Sequence, residues 1–178
     1  MSLVNIVEKL GGAPYSKQPL RLWLRLLSCS MVIEKRIRQQ LVEEFGTTLP
    51  RFDLLAALER HADGLTMGEL SSSLLVSNGN VTSIVERLVE EGLVERRQSA
   101  SDRRVLRVAL TARGRRQFRS MAAVHEGWVD SMMADLDTRD IEALLSGLQR
   151  LRLSVENNPI GGVGRSAPRS RAARTRQS

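Results

Sequence analysis

The 178-residue chain is poor in the residues from which most catalytic and metal sites are built. It holds one cysteine, Cys29, and two histidines, His61 and His125. A single cysteine excludes an internal disulfide framework and a cysteine-rich zinc site. Two histidines leave little material for a metal cluster. Aromatic residues make up 3% of the chain, with a single tyrosine, Tyr15. No apolar run approaches the ~20 residues of a membrane helix, and no basic n-region leading into an apolar h-region opens the sequence. A phosphate loop, a His-Glu-x-x-His pair and a serine elbow are all missing. Gly161-Gly162-Val163-Gly164 follows no strand signal and makes no nucleotide loop. These absences point away from an enzyme, a cofactor and a membrane, toward a soluble cytoplasmic protein.

What is present is arginine. The net charge is +7, and 24 of the 27 basic residues are arginine. Residues 1–93 are close to neutral, whereas 94–119 hold nine arginines against Glu95 and Asp102. Residues 120–157 are acidic, and 158–178 hold five arginines and no acid. Positive charge concentrated in one internal segment is the electrostatic footprint of a polyanion binder. The hydrophobic fraction of 42% is enough for an ordinary core.

Helical periodicity dominates the chain. Leu20, Trp23, Leu24, Leu27, Met31, Ile33, Ile37, Leu41 and Phe45 predict a long helix stopped by Gly46. Pro50 opens a second helix with Phe52, Leu54, Leu55 and Leu58. Thr66-Met67-Gly68-Glu69 fits a capping box ahead of a short helix with Leu70 and Leu74. After a turn at 76–80, Val81, Ile84, Val85 and Leu88 stand at i, i+3, i+4, i+7, and Gly92 closes that helix. Two short helices joined by a tight turn make a helix-turn-helix. Then the period changes to two: Val94–Gln98 and Val105–Leu110 read as strands around a turn at Ser99–Asp102, a basic hairpin or wing. Thr111 caps another helix carrying Phe118, Met121, Ala122, His125, Trp128, Val129 and Met132. Asp137 or Thr138 opens a last one striped by Ile141, Leu144, Leu145, Leu148, Leu151 and Val155.

The predicted fold class is therefore mainly α with a small β-wing: a winged helix-turn-helix domain plus a helical dimerisation domain. Residues 1–19 form a flexible arm, 20–46 and 111–157 the dimerisation region, and 47–110 the winged helix-turn-helix. The Arg-rich tail, 158–178, lacks core formers and is expected to be disordered. The stripe at 141–155 has too few partners within one chain of this length, which predicts a two-fold homodimer.

The order helix, helix, helix-turn-helix, basic hairpin, long helix, helix resembles the MarR family of bacterial transcriptional regulators over residues 20–155. The most specific element is the wing signature Asp-x-Arg-x-x-x-Val-x-Leu-Thr, here Asp102, Arg104, Val108, Leu110 and Thr111. The resemblance implies a regulator of transcription, a repressor released from a palindromic double-stranded operator by a small-molecule effector. It extends to the branch that answers aromatic acids or their coenzyme A thioesters.

The physical reading of the same residues is independent of the resemblance. A recognition helix needs small polar groups and a few long ones on its outer face. Opposite the apolar stripe stand Asn80, Thr82, Ser83, Glu86 and Arg87, with Arg87 the candidate for a bidentate guanine contact. Ser77, Asn78 and the first helix amides are candidates for phosphate. A solvated face with Arg87 paired to Glu86, Glu90 or Glu91 is the plain alternative. Arg103 and Arg104 sit where a wing tip enters a narrowed minor groove, and the resemblance implies that Asp102 orients Arg104. Arg96, Arg97, Arg113, Arg115 and Arg116 read as phosphate-facing or solvated.

For the effector, Arg21 and Arg25 flank Trp23, which shares a helix face with Leu27 and Met31. Phe52 and Ala56 share a face of the second helix, where the small alanines leave room for an aromatic anion between packed helices. Plain core packing is the competing reading there. Cys29 lies mid-helix and reads as a buried structural cysteine rather than a redox sensor. His125 reads as a core or interface histidine, and His61 as a charge capping a helix end. Two further alternatives are an architectural or non-specific nucleic-acid binder working through the tail, and a Cys29-based redox-sensing regulator.

Overall fold

A computed structural model describes residues 18–74, 78–98 and 104–159. The chain divides into two units, one through Met132 and one from Met133. The first contains α1 (Gln18–Phe45), α2 (Leu49–Glu59), α3 (Met67–Leu74), α4 (Asn78–Glu90), β1 (Val94–Gln98), β2 (Leu106–Leu110) and α5 (Ala112–Met132). The second contains α6 (Thr138–Asn157). The mainly helical architecture with a two-stranded wing matches the class that the sequence predicts.

The helix boundaries follow from local chemistry. α1 is described from Gln18, two residues ahead of the periodic pattern. It ends at Gly46, which takes φ 60°. Thr66 and Glu69 form the reciprocal capping box at α3. The Glu69 amide donates to Thr66 Oγ1 at 3.2 Å, and the Thr66 amide to Glu69 Oε2 at 2.7 Å. Asp137 caps α6 by accepting from the Asp140 amide at 2.9 Å. His61 Nδ1 donates to the Ala57 carbonyl at 2.8 Å, which satisfies an orphan carbonyl near the end of α2.

The core of the first unit is one apolar cluster. Ile37 and Leu41 enter it from α1, Phe52, Leu54, Leu55 and Leu58 from α2, and Leu70 from α3. α4 supplies Val81, Ile84, Val85 and Leu88, while Val94, Val108 and Leu110 come from the base of the wing and Phe118 and Met121 from α5. The first half of α1 contributes nothing to this cluster. Leu20, Leu22, Trp23, Met31 and Val32 are all exposed in the single chain.

β1 and β2 pair antiparallel, with Val94 opposite Leu110 and Gln98 opposite Leu106. A third piece joins them. Leu65 exchanges both backbone hydrogen bonds with Val108, at 2.9 and 2.7 Å, and so ties the turn before α3 to the wing. The register places Arg97 directly opposite Arg107, a repulsive pair. Each is answered separately, Arg97 by Glu95 at 2.9 Å and Arg107 by Glu69 at 3.3 Å and the Gly64 carbonyl at 2.9 Å. In the second unit, α6 leaves Ile141, Leu144, Leu145, Leu148 and Val155 exposed along its length.

The capping box generates a pH test. The Glu69 carboxyl lies below the ordinary glutamate range because the Thr66 amide and then the Thr66 hydroxyl hydrogen-bond to it, with Arg107 adding a smaller pull. A lowered folded value means that this stabilisation is complete above the ordinary range and is lost as pH falls through the lowered one. Glu69→Ala should unfold at lower urea than the parent at pH 7, and the gap between midpoints should narrow below about pH 4. An unchanged gap at pH 3 would contradict the assignment.

Candidate nucleic-acid interface

α4 is amphipathic in the sense that a reading helix requires. Val81, Ile84, Val85 and Leu88 are buried, so the helix cannot rotate about its axis without exposing them. Asn80, Thr82, Ser83, Glu86 and Arg87 are all exposed on the other side. Asn78 is the first residue of the helix. Ser77, Asp102 and Arg103 lie outside the described residues, and Arg104 is exposed just before β2.

The three carboxylates near Arg87 do not neutralise it. Glu91 is engaged by Arg51 of α2, and among the described residues Arg87 makes no ion pair. The basic segment is sorted in the same way. Arg97 and Arg107 are held by Glu95 and Glu69, and Arg115 and Arg119 share Glu59, each at 2.8 Å. Arg115 and Arg97 are therefore structural pairs as well as charges. Among the described residues, Arg96, Arg113 and Arg116 make no ion pair and are exposed, the state in which a guanidinium can meet a phosphate.

The far end of α4 is closed by a Schellman motif. The Leu93 amide donates to the Leu88 carbonyl and the Gly92 amide to the Val89 carbonyl, both at 2.9 Å, with Gly92 at φ 68°. α5 docks directly on this turn. Thr111 Oγ1 accepts from the Gly114 amide at 2.9 Å, capping α5, and donates to the Gly92 carbonyl at 2.8 Å. A Cβ on Gly114 would fall 1.9 Å from the Leu93 carbonyl oxygen.

Residues expected to form an effector slot are not brought together in one chain. Phe52 is 6% exposed, in the core, with its ring 5.5 Å from Phe118 and stacked 4.8 Å from His125. Ala56 packs partly against the same cluster. Trp23 is 58% exposed, while Arg21, Arg25 and Met31 are also exposed and Leu27 is half-buried. Trp23 precedes Ile33, the first residue of α1 to touch the core, by about 15 Å of helix. Phe118 and His125 of α5 lie against the Phe52 ring on that face of α2. His125, expected to be a core or interface histidine, is half-buried with its ring against Phe52. Asp53 beside Phe52 has its carboxyl raised by burial, against which Arg38 and then His125 pull it down. Cys29 is exposed, not buried as its mid-helix position suggested, because the first half of α1 lies outside the core. Among the described residues no cluster of His, Cys, Asp and Glu is arranged for a metal, and no helix is long and apolar enough to cross a membrane.

Residues 45–105 match a family model described as MarR family. They span α2, the helix-turn-helix and the first strand of the wing. The chain is also similar to the crystal structure of a MarR family transcriptional regulator from Silicibacter pomeroyi. That likeness has 30% identity and a TM-score of 0.67, and it covers 80% of this chain and 99% of the other. The chain belongs to the MarR family. It is a DNA-binding transcriptional regulator and not an enzyme. Among curated relatives, the transcriptional activatory protein BadR of Rhodopseudomonas palustris is 27% identical over 83% of this chain and 85% of its own. The transcriptional repressor MprA of Escherichia coli K12 is 29% identical over 75% and 76%. The two names carry opposite signs of regulation, so similarity alone does not supply the sign for this MarR chain.

The contact between α5 and the end of α4 is a sharp target. Gly114→Ala should destabilise the protein by about 3 kcal/mol, because backbone rather than a flexible side chain must move. Urea unfolding measures it, and a loss under about 0.5 kcal/mol would show that the turn is not held as described.

Proposed function

We propose that the protein is a homodimeric repressor that holds a palindromic operator through α4 and the wing and releases it on binding an anionic aromatic effector. The observation that carries the DNA half of this reading is the exposed face of α4. Asn80, Thr82, Ser83 and Arg87, which makes no ion pair among the described residues, stand over a buried apolar stripe. Arg87 supplies the two parallel donors that guanine accepts in the major groove. Arg103 and Arg104 supply minor-groove charge at the wing, with Asp102 orienting Arg104, and Ser77 and Asn78 meet phosphate.

The dimer is supported by apolar surface without a partner. Leu145 and Val155 of α6 are more than 60% exposed, and Leu20, Leu22 and Trp23 of α1 are exposed as well. A second copy covers such stripes symmetrically and presents two α4 helices to half-sites about 10 bp apart. Repression asks only that the operator be occupied, whereas activation needs a further surface for the transcription machinery. The effector reading rests on Arg21, Trp23 and Arg25, which pair two guanidiniums with an exposed indole on α1. Leu27, Met31, Phe52 and Ala56 then belong to a slot completed by the second copy. Release follows if the effector favours the state in which the two α4 helices are misplaced.

The test uses a duplex that the wild-type protein selects from a random-sequence pool. Arg87→Ala should relax preference at one position per half-site by about 1–3 kcal/mol, and Arg104→Ala should weaken selected and scrambled duplexes alike. Light scattering should give a dimer, and benzoates, hydroxycinnamates or their thioesters should release the duplex with a change in Trp23 fluorescence. A monomer at micromolar concentration, or unchanged binding by both arginine variants, would overturn the DNA reading. No release by any of these anions would overturn the effector reading alone.

A further inference from the structure

The end of α4 is anchored from two sides at a point that carries no base-contacting residue. Arg51, in the first turn of α2, pairs through Nη2 with Glu91, the residue after α4 and forty positions away in sequence. The Arg51 side chain is only 21% exposed, and its Nε is buried with no hydrogen-bond partner among the described residues. A guanidinium in that setting is unlike a surface ion pair that water can replace at little cost. Removing its carboxylate would leave a partly buried charge uncompensated. At the start of α5, the Thr111 amide and hydroxyl hold the Leu93 and Gly92 carbonyls, and Gly114 lies against Leu93. Residues 91–93 are thus where α2, α4 and α5 are fixed to one another.

The apolar stripe beneath α4 cannot do this alone. Burial of Val81, Ile84, Val85 and Leu88 fixes which face is inward, but it is non-directional and permits a small tilt or slide along the axis. A charged hydrogen bond at one end is directional. We propose that Arg51 and Glu91 are positioning residues for DNA recognition, setting the angle at which α4 presents Asn80, Thr82, Ser83 and Arg87. The same pair diverts Glu91 from Arg87 and so keeps that guanidinium available. This rests on α4 being the helix that reads bases.

Base contacts need closer placement than phosphate contacts, so the informative quantity is the ratio of affinities for the selected duplex and for a scrambled duplex of equal length. In the full chain, Arg51→Met and Glu91→Gln should each lower that ratio about fivefold to tenfold. The double variant should be no worse than the more damaging single, and the exchange Arg51→Glu with Glu91→Arg should recover most of the loss. Glu91 is the more exposed partner, so Glu91→Gln keeps the test decisive if Arg51→Met fails to fold. An unchanged ratio for folded Glu91→Gln, or losses that simply multiply in the double variant, would overturn the proposal. Arg87→Ala separates the two levels. If it lowers the ratio while the Arg51 and Glu91 variants do not, the positioning pair alone is wrong. If it too leaves the ratio unchanged, the assignment of α4 fails and takes the pair with it.

Discussion

The proposed DNA-reading surface depends on the burial of four side chains on one face of a thirteen-residue helix. Val81, Ile84, Val85 and Leu88 are fully or almost fully buried in the one apolar cluster that α1, α2, α3, the wing base and α5 also enter. Each such burial removes roughly 1.5–3 kcal/mol of apolar surface from water, so together they fix the inward face of α4 far more firmly than helix propensity could. The outward face is then free to be polar. Its glycine-closed end and its contact with Gly114 of α5 fix where the helix stops.

Charge is arranged around that scaffold with economy. The segment 94–119 is dense in arginine, yet its described members other than Arg104 fall into two groups. Arg97, Arg107, Arg115 and Arg119 have carboxylate partners: Arg97 within its own strand, Arg107 joining the wing to α3, and Arg115 and Arg119 joining α5 to α2. Arg96, Arg113 and Arg116, with Arg87 on α4, have no such partner among the described residues. A polyanion can be met by the second group without dismantling the first. This division bears on specificity, because the salt-dependent, sequence-blind part of DNA binding grows with every free cation.

The elements were legible where their signals are local. Thr66 and Glu69 sit three residues apart and make the bonds that their spacing predicts, and Gly92 terminates α4 as a residue beyond the last periodic position should. The alternation in β2 and the stripe of α4 likewise follow from single-residue patterns. What the sequence did not reveal is non-local. Leu65 pairs with Val108 as a lone bridge, too short to leave a period-two pattern. Arg51 finds Glu91 across forty residues, and Arg115 and Arg119 find Glu59 across nearly sixty. Nothing in the local sequence distinguishes those arginines from solvated ones. The expected burial of Cys29 failed for a related reason. Periodicity says that a face is apolar but not whether the same chain covers it, and the first half of α1 is left uncovered.

On the proposed reading, the outer face of α4, Ser83 included, enters the major groove of each half-site. A direct measurement is a tethered cleavage reagent: an iron chelate attached at Ser83→Cys in a Cys29→Ser chain, bound to the selected duplex. The prediction is two symmetric clusters of strand cuts about one helical turn apart, with the stagger that marks the major groove. Cuts that are absent, scattered evenly along the duplex, or staggered as in the minor groove would contradict it.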